Sequence, residues 1–201
     1  SGIIYGILCA VYYILAGIAC SVYHIFSGIA CAIYHILASI SGAIYDILAG
    51  ISGSAGKTTT KEEIRFALSR FGSVYATSGN HNNHIGVPMS LCEMDMNADY
   101  AVIEMGMSAK GEISRLTSYV KPDLALVTNV YPMHIEFLGS LENIARANAE
   151  IFSGLRKGAS EGKQGIAIFN EDAAYADILR AEAEKYAATV CAYGRNNHPD
   201  V

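Results

Sequence analysis

The chain has no tryptophan, only 4 prolines and little charge: 16% of its 201 residues are Asp, Glu, Lys or Arg. The shortage of charge is concentrated at one end, where Asp46 is the sole charged residue ahead of Lys57. A net charge of −5 and an isoelectric point near 5.6 leave no basic stripe to displace counterions, which argues against nucleic acid as a partner. No basic n-region precedes the apolar stretch and no Met opens it, so a cleavable signal peptide is not expected; the stretch is also too long for one. A disulfide framework is lacking as well. Cys9, Cys20 and Cys31 fall one repeat apart on one helix face and cannot pair within a helix, while Cys92 and Cys191 stand in unrelated contexts. Reduced thiols in a cytoplasmic setting are the simplest reading.

In place of charge, the first part has repetition. Ile7, Ile18, Ile29, Ile40 and Ile51 recur every 11 residues, and so do Tyr12, Tyr23, Tyr34 and Tyr45. Such a repeat matches about 3.67 residues per turn, close to the natural α-helix. On a helical wheel Val11, Ile14, Leu15 and Ile18 form a bulky aliphatic side. Ala16, Gly17, Cys20 and Ser21 form a small one, with Tyr13, His24, His35 and Asp46 along its middle. An uncharged helix of this kind must bury almost all of itself, in lipid or against copies of itself. Residues 1–51 are therefore expected to form a long apolar hendecad-repeat α-helix, a coiled-coil rod that makes homo-oligomers and associates with a membrane. As one helix it would run roughly 75 Å, against a bilayer core of about 30 Å. The basic residues after Lys57 favour a cytoplasmic domain attached to the inner face of the membrane. The His line reads as interface polarity. A proton path or metal site from His24, His35 and Asp46 would need a symmetric oligomer, since on one helix they lie about 16 Å apart.

The repeat runs on into different matter. Ile40-Ser41-Gly42-Ala43 corresponds to Ile51-Ser52-Gly53-Ser54, so residues 47–51 carry two readings, helix in the repeat and strand in a phosphate-loop fold. The next run, Gly53-Ser54-Ala55-Gly56-Lys57-Thr58-Thr59-Thr60, precedes a helical stretch. Its glycines let backbone N–H groups turn inward on phosphate oxygens, Lys57 adds charge, the Thr58 hydroxyl suits Mg2+, and the helix contributes its N-terminal dipole. Ile51 departs from the common G-x-x-x-x-G-K-T form.

Three further segments narrow the reading. Residues 76–88 (ATSGNHNNHIGVP) are a turn-forming stretch dense in hydrogen-bonding side chains. Residues 100–106 (YAVIEMG) read as a buried strand ending in a carboxylate, where an open parallel sheet presents functional groups. Residues 124–130 (LALVTNV) read as a second such strand, followed by His134. Taken singly, each is a core strand or loop with a polar cap.

Taken together with PDLALVTNVYPMHIEFLGSLENIARA and AIFNED, these segments resemble the central ATP-binding domain of the Mur ligases over residues 51–201. The resemblance implies an α/β fold, an incomplete P-loop domain with a parallel sheet, over residues 52–201. It implies an ATP-dependent ligase of peptidoglycan precursor synthesis that works through an acyl phosphate, with ATP and Mg2+ as cofactors and a UDP-sugar peptide precursor as partner. By the same resemblance, Gly53, Ser54, Ala55, Gly56, Lys57, Thr58 and Thr59 hold the phosphates and Asn170 lies near the adenine. Thr58, Glu104 and His134 match the Mg2+ positions, with Lys57, Glu104 and His134 as the catalytic set. Asn80, Asn82 and Asn83 match the loop that faces the UDP-sugar. One departure concerns the chemistry: Asn148 stands where the family carries a lysine, carbamylated to hold a second Mg2+. A neutral amide cannot become a carbamate, so second-metal binding is expected to be weakened. A contrasting expectation makes the whole a self-assembling rod with a ligase-like passenger.

Overall fold

The computed structural model describes residues 47–95, 97–156 and 165–194. They build a parallel sheet of six strands in the order β2-β3-β1-β4-β5-β6. The strands are β1 (Ile47–Ser52), β2 (Val74–Ala76), β3 (Tyr100–Glu104), β4 (Leu124–Val127), β5 (Ile166–Asn170) and β6 (Thr189–Tyr193). The helices are α1 (Lys57–Leu68), α2 (Gly86–Glu93), α3 (Glu112–Val120), α4 (Ile135–Leu138), α5 (Leu141–Ala149) and α6 (Ala176–Tyr186). A 3-10 turn, Glu150–Gly154, continues α5.

Side chains alternate across each strand, and the alternation assigns the faces. Ala49, Ile51, Val102 and Leu126 point to the side covered by Ile64 and Leu68 of α1. Leu48, Ala101, Ile103, Ala125, Val127, Ala167 and Phe169 point the other way, into a larger core with Ile113 and Leu116 of α3, Ile144 of α5 and Leu179 of α6. Being covered on both faces, the central strands are near-continuous apolar runs.

β1 sits in the middle of the sheet. Ile51 is paired with Glu104 on one side and Leu126 on the other, and strand exposure is nil at Ile51. Gly50 fits because a methyl there would lie 2.7 Å from Met105 Cε and 3.3 Å from Pro122. The five residues ILAGI that open β1 also occur unchanged at 14–18.

This strand corrects the expected fold class. The apolar helix was to run through residue 51, yet residues 47–51 are the first five of the central strand, hydrogen-bonded to two neighbours. An apolar run of this length suits a doubly covered strand as well as a helix face, and pairing with β3 and β4 decides between them. The coiled-coil and membrane expectations and the inner-face localisation fall with it: among the described residues no helix is long and apolar enough to cross a membrane. The homo-oligomer contacts, the polar line of Tyr13, His24, His35 and Asp46, and Cys9, Cys20 and Cys31 lie outside the described residues. Cys92 and Cys191 are free thiols at the surface.

Candidate nucleotide site

All six strands run the same way, so their C-terminal ends share one edge, and the candidate residues collect there. β1 ends at Ser52 and turns at Gly53 (φ 138°) into the loop that opens α1. A side chain at Gly53 would place its Cβ 2.1 Å from Thr128 Oγ1, so the close passage requires glycine. Gly56, left-handed at φ 82°, is the N-cap of α1 and carries no side-chain cap. The first N–H groups of the helix are thereby left facing the loop.

The end of β4 props this loop up. Thr128 Oγ1 donates to the Ala55 carbonyl at 2.6 Å, and Ser54 N–H donates to the Asn129 carbonyl at 2.9 Å. Lys57 Nζ donates back to the Gly53 carbonyl at 2.7 Å. Burial pulls its ammonium below the ordinary lysine value, an effect opposed by the nearby Glu104 charge. Ser54 Oγ is buried without a hydrogen-bond partner among the described residues. A buried hydroxyl of that kind wants an acceptor, and a phosphate oxygen in the loop would supply one. Thr58 and Thr59 are exposed on the first turn of α1.

Glu104 closes the site from the adjacent strand. It is 1% exposed and its two oxygens are used separately. Oε2 accepts from Thr58 Oγ1 at 3.0 Å, and Oε1 accepts from Asn82 Nδ2 at 2.8 Å. Thr58 and Glu104 offer adjacent oxygen donors beside the phosphate loop, the donor chemistry that Mg2+ takes alongside phosphate. The residues present therefore fit one such ion.

Asn82 is tied at the backbone too, its carbonyl accepting from Gly106 N–H at 2.6 Å. Asn83 spends its Oδ1 on the N–H groups of Ile85 and Gly86, opening α2, and Asn80 lies exposed at the same turn. Only Asn82 of the three reaches the carboxylate.

His134 follows β4. It is exposed, left-handed at φ 57°, and the N-cap of α4. Among the described residues no hydrogen bond joins it to Thr58 or Glu104, and no group of three His, Cys, Asp or Glu side chains forms a metal cluster. A hydrogen bond joins two of the three expected Mg2+ positions, Thr58 and Glu104. Asn170 ends β5 and lines a cleft of about 670 Å³ with Asn129, Tyr131, Pro132 and Asp172. Its Oδ1 accepts from Asp172 N–H at 2.9 Å.

Asn148 does not fit a second ion. It is fully buried, accepts from Ser52 Oγ at 2.8 Å and donates to the Ile144 carbonyl at 3.0 Å. A neutral amide committed at both ends carries no charge for a cation.

Sequence reasoning missed four contributors: Ser52, Lys61, Thr128 and Asn129. Lys61 had a signal, since Lys57, Lys61, Ile64 and Leu68 fall on one helical stripe, which points Lys61 inward. Thr128 and Asn129 follow an apolar run and read only as a polar cap.

A glycine loop between a central parallel strand and a helix, with a buried carboxylate on the neighbouring strand, defines a P-loop α/β nucleotide-binding domain. The Mur ligase middle domain matches residues 51–201, and the chain belongs to that family. It is 42% identical over 147 residues to the UDP-N-acetylmuramoyl-tripeptide–D-alanyl-D-alanine ligase of Bacillus subtilis (strain 168), covering 73% of this chain and 30% of that protein. To the Escherichia coli (strain K12) ligase of the same name it is 46% identical over 119 residues, covering 59% of this chain and 25% of that one. The crystal structure of the MurF ligase from Thermotoga maritima in complex with ADP superposes with a TM-score of 0.72 at 29% identity, covering 85% of this chain and 37% of that chain. The chain thus spans about a third or less of the length of these relatives.

Proposed function

We propose that this chain supplies the ATP-using centre of a ligase that joins D-alanyl-D-alanine to a UDP-N-acetylmuramoyl-tripeptide. The observation that carries the reading is the Thr58–Glu104–Asn82 hydrogen-bonded set beside the glycine loop. The names of the most similar relatives supply the substrate class. In the proposed reaction a substrate carboxylate oxygen takes the γ-phosphoryl group of ATP, releasing ADP and forming an acyl phosphate. The amine of the second substrate then attacks the acyl carbon, forming an amide and expelling phosphate.

The chain's own part is positioning and charge. Gly53, Ser54, Ala55, Gly56, Thr58 and Thr59 present backbone N–H groups and hydroxyls to the phosphates, and Lys57 neutralises them. Thr58 and Glu104 hold Mg2+, which when bound offsets phosphoryl charge. With Asn148 in place of a lysine, one ion is assigned rather than two. Asn82, with Asn80 and Asn83 on the same turn, faces the UDP-sugar precursor, and Asn170 borders the adenine cleft. His134 enters on the resemblance alone. The proposal divides the chain into the repeat and a ligase-type unit whose first strand is β1.

The test is a titration of the purified chain with a fluorescent ATP analogue, with and without Mg2+. Binding that is strengthened by Mg2+, weakened by Lys57→Ala and made Mg2+-indifferent by Glu104→Gln is expected. Equal binding by wild type and Lys57→Ala would sink the reading.

A further inference from the structure

Lys61 is among the largest fully buried side chains of the described residues and the one buried lysine, and the proposed chemistry does not use it. It projects from the second turn of α1, one turn beyond Lys57. Its Nζ donates to the carbonyls of Thr77 at 2.7 Å and Gly79 at 3.2 Å, and lies 3.7 Å from Glu104 Oε2. Glu62 Oε1, on the exposed side, is 3.4 Å away. A lysine at 1% exposure has given up its hydration, and two carbonyls and two carboxylates replace it.

Two different segments meet through Lys61 and Glu104. Thr58 and Lys61 are on the helix that the glycine loop opens, whereas Thr77 and Gly79 begin the turn that carries Asn80, Asn82 and Asn83. Glu104 is common to both: it accepts from Thr58 and Asn82, and its own N–H donates to Thr77 Oγ1 at 3.0 Å. The result is a closed circuit from helix to carboxylate to turn and back through Lys61.

We infer that Lys61 is a positioning residue that couples nucleotide binding on α1 to the order of the 77–83 turn, where the second substrate is proposed to bind. It is a fixed counter-cation for Glu104, and its two carbonyl bonds make any shift of α1 a shift of the turn. A cation arriving at Thr58 and Glu104 adds positive charge beside Lys61, and the Thr77 and Gly79 carbonyls, with the exposed Glu62, are then its remaining anchors. The turn is therefore held more firmly when nucleotide and Mg2+ are bound. This inference rests on the nucleotide reading above.

The experiment is backbone hydrogen exchange of the whole chain with and without ADP and Mg2+, which reports local opening segment by segment. The expected result is slowed exchange in the glycine loop together with slowing of about fivefold or more in residues 77–83, the scale of an ordinary coupling. Slowing confined to the glycine loop overturns the inference and leaves the nucleotide site standing. No slowing in either segment overturns both. The wild-type arm needs no variant to fold. In the variant arm, run at saturating ADP and Mg2+, Lys61→Met keeps the slowing of the glycine loop yet loses the transmitted slowing, and Lys61→Arg restores it. Transmitted slowing that persists in Lys61→Met also overturns the inference.

Discussion

The buried polar set at the ends of β1, β2 and β3, joined by Asn148 of α5, and the stretch from Tyr131 to Phe137 that follows β4 are built differently. In the first, Ser52, Lys61, Thr77, Glu104 and Asn148 are at most 1% exposed, and each is hydrogen-bonded to another part of the chain. In the second, Tyr131, Met133, Ile135 and Phe137 are 41–70% exposed, and His134 is exposed with them. Buried polar groups with satisfied partners hold a geometry tightly, because any displacement strands a donor or acceptor without water. Exposed groups pay little for moving. The glycine-loop side is thus fixed by the fold, while the β4–α4 side presents an exposed apolar rim.

The comparison is broken most directly at Lys61. Lys61→Met leaves Glu104 buried without its counter-cation, and stability is expected to fall by about 3–5 kcal/mol in urea unfolding; the loss of one partner from a buried pair has that scale. A change below 1 kcal/mol would place the pair in water instead.

Lys57→Ala comes next, read as affinity rather than stability. Removing a charged hydrogen bond of about 1.5–3 kcal/mol should weaken ATP-analogue binding by about one to two orders of magnitude. The unliganded fold should respond the other way. Burial lowers the Lys57 pKa in the folded chain, so between that lowered value and the ordinary 10.5 the unfolded state binds more protons. Stability measured without nucleotide therefore rises with pH through that window, and Lys57→Met should flatten the rise. A wild-type curve that falls there, with the mutant parallel to it, would refute the sign.

Ser52→Ala removes the donor to Asn148 Oδ1 and should cost about 1–3 kcal/mol, since a buried carbonyl is left unpaired. The smallest effect belongs to the other side of the cleft. His134→Ala is expected to change thermal stability by no more than about 0.5 kcal/mol, as for an exposed residue outside any network. A cost of several kcal/mol would place His134 within the buried set and erase the contrast.

The division also explains what could be read from the sequence. The glycine loop, Lys57 and Thr58 were legible because the conformation of that loop demands those residue types at that spacing. Glu104 was legible because a carboxylate closing an apolar run marks a strand end. His134 was legible only as a resemblance. Lys61, Ser52 and Asn148 could not be paired beforehand. Their partners lie 16 to 96 positions away, and only the packing of α1 and α5 on opposite faces of the sheet brings them together. β1 was ambiguous for a related reason: an apolar pentapeptide covered on both faces has no alternation to betray it.

The Ser52–Asn148 bond has one more consequence, because ILAGI is present at 14–18 as well as at 47–51. The apolar walls of the central slot are blind to the difference between two identical pentapeptides. The next residue is not shared: Ala19 follows one copy and Ser52 the other. A chain threaded three repeats out of step would set a methyl against the Asn148 carbonyl and forfeit about 1–3 kcal/mol, a discrimination of roughly one to two orders of magnitude. The Ser52 hydroxyl, together with the bare Cα of Gly53 where the other copy carries Cys20, thus serves as the registration mark by which a repetitive chain tells its working strand from the duplicate.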